Sequence, residues 1–519
     1  MKKAIYLIIA LIGLSAPSCS DSMLDFSPTD SGSGKELLKS ASTAITSVNG
    51  VYRSMWTAGW STTANTHQCF GIAAYNLALD CMADDLIMQS QGNGWFWGDH
   101  CYNVKSNYTS SAFRSYDVWY ANYKWIANVN YIIDAEPEMA GKEADVAYVA
   151  GQAYAIRALC YLNLATWFSR APYNSLTGAS RWNEPCVPVY TTGTSIDTGG
   201  QPRESLRTVY GRIDQDIDRA IELLEKARET TLAENNKSHI NLYVALGIKS
   251  RACLAEGDWD GAFKAAKRVI DEGGYAVGTK SDLTGGMNSL DKQNVMWGAG
   301  IQVADQAGGY AGFFTHMDNK EGAYAKSAPK LISKQLYNRI SATDIRRDWW
   351  DPSDKESPYV SKKFSFANVA SFLGDYIYMR VEEMYFTAAE AALRLDDLKN
   401  ARELMNTVMA ERDPGYSANN RSGTLLGATT TTWTGSFLEN ILTHRRIELW
   451  GEYGRLFDVR RLGQGIDRRT DDGFSEECIS MMNRRNVNIT KADTYDWVLT
   501  IPKAELDANP NINEEDQNP

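Results

Sequence analysis

No two cysteines in this 519-residue chain stand at CxxC spacing, and its five histidines are scattered singly. That pattern lacks the common zinc and redox motifs. GxSxG, HExxH and phosphate-loop sequences are also missing, which removes the signatures of serine hydrolases, zinc proteases and P-loop enzymes. Neither a metal nor a cofactor is expected, and no catalytic residue is assigned. Beyond residue 14 no apolar run approaches the ~20 residues needed to span a bilayer. Positive charge is in deficit: 53 Lys and Arg against 64 Asp and Glu give a net charge of −11. That balance argues against nucleic acid or another polyanion as the main partner. Asp84 and Asp85 are adjacent acids, but helical neighbours diverge by about 100° and do not flank one glycosidic bond. Asp471-Asp472-Gly473 has Asp467, Glu476 and Glu477 nearby but lacks the ligand spacing of an EF-hand, so it reads as a solvated acidic turn.

Eight cysteines are present. Cys69, Cys81 and Cys101 are close enough in sequence for one disulfide, whereas Cys160 and Cys253 fall inside helical patterns as buried thiols. At the N-terminus, Lys2 and Lys3 precede an apolar run from Ala4 to Leu14, too short to cross a membrane. The following Ala16-Pro17-Ser18-Cys19 resembles the end of a bacterial lipoprotein signal, with residues 1–18 removed and Cys19 acylated. Cleavage after Ala16 or Ser18 without lipidation is the alternative. Each buried acyl methylene contributes about 0.8 kcal/mol, so two or more chains hold a protein on a membrane durably. Residues 19–34 are polar, contain Pro28, Gly32 and Gly34, and read as a tether.

What the chain has in quantity is helical periodicity. Val149, Ala153, Ile156, Cys160, Leu164 and Trp167 recur at spacings of three and four, predicting a helix over 145–168 that Pro172 ends. A second helix is predicted over 206–226. Helices over 241–256 and 258–272 form a pair around Gly257-Asp258-Trp259, with Ala262, Ala265 and Ala266 permitting close approach. The plan returns at 381–395 and 398–410, joined through Asp396-Asp397, with Ala388, Ala389, Ala391 and Ala392 in the contact zone. These units resemble tetratricopeptide repeats, and the long stretch between them implies inserted loops forming a second face. Residues 445–462 set five arginines and three acids around an apolar stripe. Burying so many charges costs several kcal/mol each unless they are paired. An ion-pair clamp follows, in which Arg445, Arg446, Arg455, Arg460 and Arg461 find Glu448, Glu452, Asp458 and acids of the C-terminal tail.

Seven segments follow one another along the chain: Trp119, Tyr123, Ile126 and Asn130 in WYANYKWIANVN, then 153–173 with Arg157-Ala158, 202–224, 240–270, 378–395, the Arg-rich segment and the tail over 500–519. In this order they resemble segments of the SusD/RagB family of Bacteroidetes outer-membrane lipoproteins. His444 departs from the pattern, standing where an acid is common, and one local ion pair is thereby in question. The resemblance implies an all-α body, a tetratricopeptide-type helix-pair scaffold with irregular loop-rich inserts forming a ligand face. It implies one body over 35–519, with an N-terminal region of about 35–230 and a C-terminal region of about 270–519. It also implies a binding role without catalysis: capturing oligosaccharides, or peptides, as the lid of a SusC-type TonB-dependent transporter on the outer-membrane surface.

Independently of the resemblance, the 15 Trp and 27 Tyr are unusual, and several lie in Gly- and Asn-rich loops. Trp95, Phe96 and Trp97 sit among Gly92, Gly94 and Gly98, with Asn93, Gln91 and Asp99 able to bond hydroxyls. Flat indoles stack on pyranose faces. One stacked ring burying roughly 50–100 Å² yields about 1–2.5 kcal/mol at about 25 cal/mol/Å². Millimolar affinity requires about 4 kcal/mol, so two or three platforms are needed. Tyr310, Phe313 and Phe314, between glycines in the long insert, form the second candidate cluster. Trp349 and Trp350 read as structural. The rival readings are a scaffold that binds another surface protein and a glycoside hydrolase built on two distant carboxylates.

Overall fold

The computed structural model describes residues 34–103, 113–195, 197–233, 237–303, 310–492 and 494–519. The signal, Cys19 and nearly all of the tether lie outside them. The long helices are α1 (Ala41–Ser54), α2 (Ile72–Met82), α3 (Phe113–Ala135), α4 (Glu143–Phe168), α5 (Leu206–Lys226), α6 (Leu242–Glu256), α7 (Trp259–Glu272), α8 (Val381–Arg394), α9 (Leu398–Ala410), α10 (Phe437–Glu448), α11 (Arg455–Leu462) and α12 (Glu476–Arg484). A shorter α13 (Lys503–Ala508) lies in the tail. No described helix is long and apolar enough to cross a membrane.

Local chemistry sets the boundaries of the repeat helices. The Asn241 side chain accepts from the backbone N–H groups of Tyr243 and Val244 to start α6. Gly257, at φ +77°, ends that helix, and a Cβ there would meet the Tyr173 ring at 2.5 Å. Asp258 then caps α7 by accepting from Gly261 N–H. The second pair repeats the device, with Asp396 at φ +61° and Asp397 accepting from Asn400 N–H. In each case the acidic side chain satisfies an otherwise orphaned N–H of the first turn. Helices α3 to α7 pack each on the next, and α8 then packs on α7. Two pairs separated by more than a hundred residues are therefore neighbours in space. Ala262 of α7 and Ala391 of α8 share one buried cluster with Cys253 and Leu254.

The insert between α7 and α8 carries most of the β structure. Strands β1 (Leu86–Met88), β3 (Lys330–Ile332), β4 (Trp350–Asp351) and β5 (Val360–Ser361) form an antiparallel sheet in the order β1-β3-β5-β4. Strand β2 (Val295–Ala299) pairs antiparallel with β6 (Tyr376–Arg380), which leads directly into α8.

The Arg-rich segment is largely buried and paired: Asp458 is a partner as expected, whereas the other partners differ from those expected. Arg445 pairs with Asp458 at 2.8 Å, and Arg461 with Glu390 at 2.8 Å and Asp458 at 2.7 Å. Arg446 and Arg455 reach across the fold to Asp84 and Asp85, at 2.6–3.2 Å. Glu448 receives Arg346, Arg380 and Arg412, and Glu452 receives Arg380 and Lys363. Among the described residues Arg460 pairs with no carboxylate: its guanidinium donates to the carbonyls of Thr166 and Ser169. The tail is held by Arg203 instead, which donates to Asp516 O at 2.5 Å and Asn518 Oδ1 at 2.9 Å. His444 supplies a neutral acceptor, its Nδ1 2.8 Å from Arg346 Nη2. Burial and the Arg346 charge push its pKa well below the ordinary histidine value.

All seven described cysteines are buried free thiols, so no disulfide joins Cys69, Cys81 and Cys101. Cys69 Sγ instead donates to Asp117 Oδ1 at 3.1 Å. The acidic turn is partly buried rather than solvated throughout, since Asp472 accepts from Gln335 N–H at 2.6 Å.

Candidate functional site

Gly92 decides where the first aromatic loop goes. Its φ of +51° is unfavourable for a side chain, and a Cβ would lie 2.7 Å from the Ala328 methyl and 2.8 Å from Ser327 O. The loop therefore presses against the short helix Ala323–Ser327 of the insert, where Ser90 Oγ also donates to Ser327 O at 3.2 Å. Gly94 N–H closes a turn on Gln91 O at 2.8 Å, and Phe96 N–H donates to Gln68 Oε1 at 2.9 Å. Arg114 fixes the loop's far end through Asp99, at 2.9 and 3.0 Å.

These constraints bring the two candidate clusters together around a histidine. His67 stacks on Trp95 (ring centroids 4.8 Å apart, planes at 21°), while Tyr310 lies edge-on at 5.6 Å and Tyr324 at 5.4 Å. Tyr324 also stands edge-on to Trp95 at 6.2 Å, and its hydroxyl bonds His67 Nδ1. From below, His316 Nε2 donates to His67 O at 2.5 Å. Burial, with Lys330 adding to it, pushes the His316 pKa well below the ordinary value, so this imidazole is a neutral support. Trp95 is half-buried, Asn93 is exposed, and Tyr310 shows 44% of its surface. Four rings thus form a packed, surface-facing cluster with exposed polar groups beside it.

Other predicted platforms fall inside the protein. Trp97 retains 4% of its surface, Phe313 8% and Phe314 2%. Phe313 packs on Phe364 and Tyr376, and Phe314 on Phe366. These rings offer no face to a ligand, because the short helices that carry them turn inward beneath the loops. Trp349 and Trp350 are also core. Sequence reasoning missed His67 and Tyr324. His67 is one of the few histidines, and Tyr324 lies in a Gly-Ala-Tyr-Ala stretch only 14 residues after Tyr310. Neither signal identifies a binding residue without the fold.

The carboxylate pair is accounted for structurally. Burial raises the cost of charge on Asp84, but Arg446 and Arg455 outweigh it and hold its pKa below the usual carboxylate range. Asp84 and Asp85 share both guanidinium groups and are 3% and 2% exposed. They are neither free to protonate a leaving group nor open to water, as a glycosidase pair must be. Among the described residues no group of three or more His, Cys, Asp or Glu side chains is arranged to hold a metal ion.

Comparison with known proteins gives a consistent pattern. Residues 326–519 match a family model described as the SusD family, and residues 43–254 match one described as SusD-like, starch-binding and associating with the outer membrane. No curated protein matches. Among solved structures, a SusD-like carbohydrate binding protein from Bacteroides vulgatus is 25% identical with a TM-score of 0.72, the match covering 92% of this chain and 98% of that one. A SusD superfamily protein from Bacteroides thetaiotaomicron is 22% identical with a TM-score of 0.73, covering 92% and 100%. Surface glycan-binding protein A from Bacteroides uniformis is 17% identical with a TM-score of 0.64, covering 92% and 99%.

Proposed function

The chain belongs to the SusD family, and from that membership we propose that it is a non-catalytic surface protein that binds oligosaccharides at the Trp95–His67–Tyr310–Tyr324 cluster. The observation that carries this reading is the convergence of rings from three separate segments on one surface position. A pyranose ring presents an apolar face to Trp95 and Tyr310, while Asn93 and the Tyr310 hydroxyl bond its rim. Two such platforms give about 2–5 kcal/mol, the upper end of which reaches the roughly 4 kcal/mol of millimolar affinity. The rings are already packed against one another, so little side-chain entropy is lost on binding.

The remainder of the role follows family membership. Acylated at Cys19, the protein sits on the outer membrane facing outward. There it acts as the lid of a SusC-type TonB-dependent transporter and passes the captured oligosaccharide to it.

Binding of soluble polysaccharides to the purified protein, followed by native affinity electrophoresis and calorimetry, tests the site. Trp95→Ala with Tyr310→Ala is expected to weaken binding at least about tenfold, or about 1.4 kcal/mol, without lowering the melting temperature appreciably. Undiminished binding by a folded double variant would remove the site. Retention of peptides and of no polysaccharide would replace the ligand class. Released sugar products from pure protein would overturn the non-catalytic role.

A further inference from the structure

A cleft of about 500 Å³ lies on another part of the surface and includes none of the cluster residues. Its floor is a tyrosine stripe on α3. Tyr116 and Tyr120 are one helical turn apart, with rings parallel at 15° and centroids 5.5 Å apart. Tyr123 follows on the same side, and Tyr190 stands perpendicular to it at 5.9 Å. Tyr120 keeps 37% of its surface exposed even though Tyr116 stacks on it and Trp60 lies 6.3 Å away.

The walls are fixed. Tyr123 Oη donates to Pro188 O at 2.7 Å, and Tyr190 Oη accepts from Gln201 N–H at 3.0 Å. Trp119 Nε1 donates to Glu505 Oε2 at 3.2 Å, which ties α13 of the tail to the floor. At the rim stands exposed Lys124, which makes no ion pair among the described residues. The cleft thus joins flat aromatic faces to one cation, one carboxylate and the hydroxyl-bearing residues Thr194, Ser195 and Thr198.

We propose that this cleft is a second carbohydrate subsite, taking a neutral oligosaccharide segment by stacking on Tyr120 and hydrogen bonding to Lys124 and Glu505. This inference rests on the proposed glycan-binding role. The volume falls within the roughly 300–1,000 Å³ of small-ligand sites. A stable protein partner instead requires a face of about 800 Å² on each side, which a cleft closed on three sides by a helix, a loop and the tail does not offer. One positive and one negative group suit a neutral polyhydroxyl ligand better than a polyanion, which Glu505 would repel.

The two aromatic sites share a connecting segment. Trp60 stacks on Trp125 at 6.0 Å and lies 6.3 Å from Tyr120, while His67 holds Trp95. Seven residues span at most about 25 Å, which sets an upper limit on the separation of Trp60 from His67 that one long extended glycan would have to cover. Occupying one site then raises the effective concentration of the chain at the other, which favours long ligands over short ones.

The test uses soluble starch, xylan, mannan and mixed-linkage β-glucan as probes for the full mature chain. Short (two- to three-unit) and long (eight-unit or longer) oligosaccharides of the retained polymer are then titrated calorimetrically. Tyr116→Ala with Tyr120→Ala should weaken the long ligand about five- to tenfold and leave the short ligand's affinity for the Trp95 site unchanged. Lys124→Ala, at an exposed position that does not threaten folding, should reproduce part of that loss. Trp95→Ala should weaken both ligands. Unchanged long-ligand affinity in the tyrosine and lysine variants would overturn the second subsite while leaving the Trp95 site standing. Equal losses for short and long ligands would also overturn it, by making the cleft the primary site. If the wild-type chain retains none of the polymers, the subsite falls together with the glycan-binding reading.

Discussion

Glu448 is fully buried and accepts hydrogen bonds from three arginines that are themselves fully buried: Arg346 at 3.1 Å, Arg380 at 3.0 Å and Arg412 at 2.9 Å. Burial alone would raise its pKa, yet Arg412, Arg380 and Arg346 hold it well below the usual carboxylate value. Removing one charge from such a network leaves cations without compensation, which costs about 3–5 kcal/mol. Arg346 retains Asp344, and Arg380 retains Glu452 and Glu382, so Glu448→Gln is expected to lose about 3 kcal/mol in urea unfolding at pH 7. Because the folded pKa is depressed, this stabilisation is present above about 4.5 and is lost as pH falls below it. The gap between variant and parent should therefore narrow in acid. Asp80 has the opposite sign. Desolvation raises its pKa from 3.8 to about 8, even though its Oδ1 accepts from Arg455 N–H at 2.7 Å. Its favourable contribution is complete below 3.8 and is lost as pH rises toward 8. Asp80→Asn, which cannot ionise, should match the parent near pH 4 and be more stable by about 1 kcal/mol or more at pH 8. Thermal melts at the two pH values check both magnitude and sign.

At the scale of elements, the alanine ridges of α7 and α8 define how closely the repeat pairs approach. Ala391 is fully buried beside Ala262. Ala391→Leu forces three extra carbons into that contact and should cost about 1–3 kcal/mol, seen as a lower urea midpoint with an unchanged slope. An unaltered midpoint would mean the helices are not in close contact there. These helices were legible because their determinants are local. The three-four apolar spacing, Asp258 and Asp397 as caps, and a positive-φ residue between helices all lie within about twenty residues of one another. The candidate site was legible only in part. Trp95 and Tyr310 stand in glycine-rich loops, and the fold does bring them together. Trp97, two residues from Trp95, has the same neighbours in sequence but turns inward at the left-handed Phe96 (φ 60°). Which of two loop tryptophans faces solvent depends on contacts such as Gly92 against Ala328, and those involve residues more than two hundred positions away.

Over the whole molecule, long-range pairs connect the N-terminal and C-terminal regions. Asp84 and Asp85 follow α2 and, among the described residues, are paired with Arg446 and Arg455 of the C-terminal region. The end of α4 is completed by the tail: Leu499 N–H donates to Trp167 O, and Asn518 Nδ2 to Phe168 O, both at 2.8 Å. Arg460 satisfies the carbonyls of Thr166 and Ser169, and α8 has its alanine face on α7. Separating the regions would expose that apolar face and strand buried charges on each side, a cost far beyond the 5–15 kcal/mol that holds an ordinary domain together. Residues 34–303 and 310–519 expressed as separate chains should therefore each lack near-ultraviolet circular dichroism and aggregate. Co-expressed, they should co-purify as a complex, with amide protection restored in α4 and α10. Cooperative unfolding by either piece alone would show that the Asp84–Arg446 and tail contacts are ornaments on two independent domains. Failure of the pair to associate would show that chain continuity, rather than these contacts, holds the two regions in register.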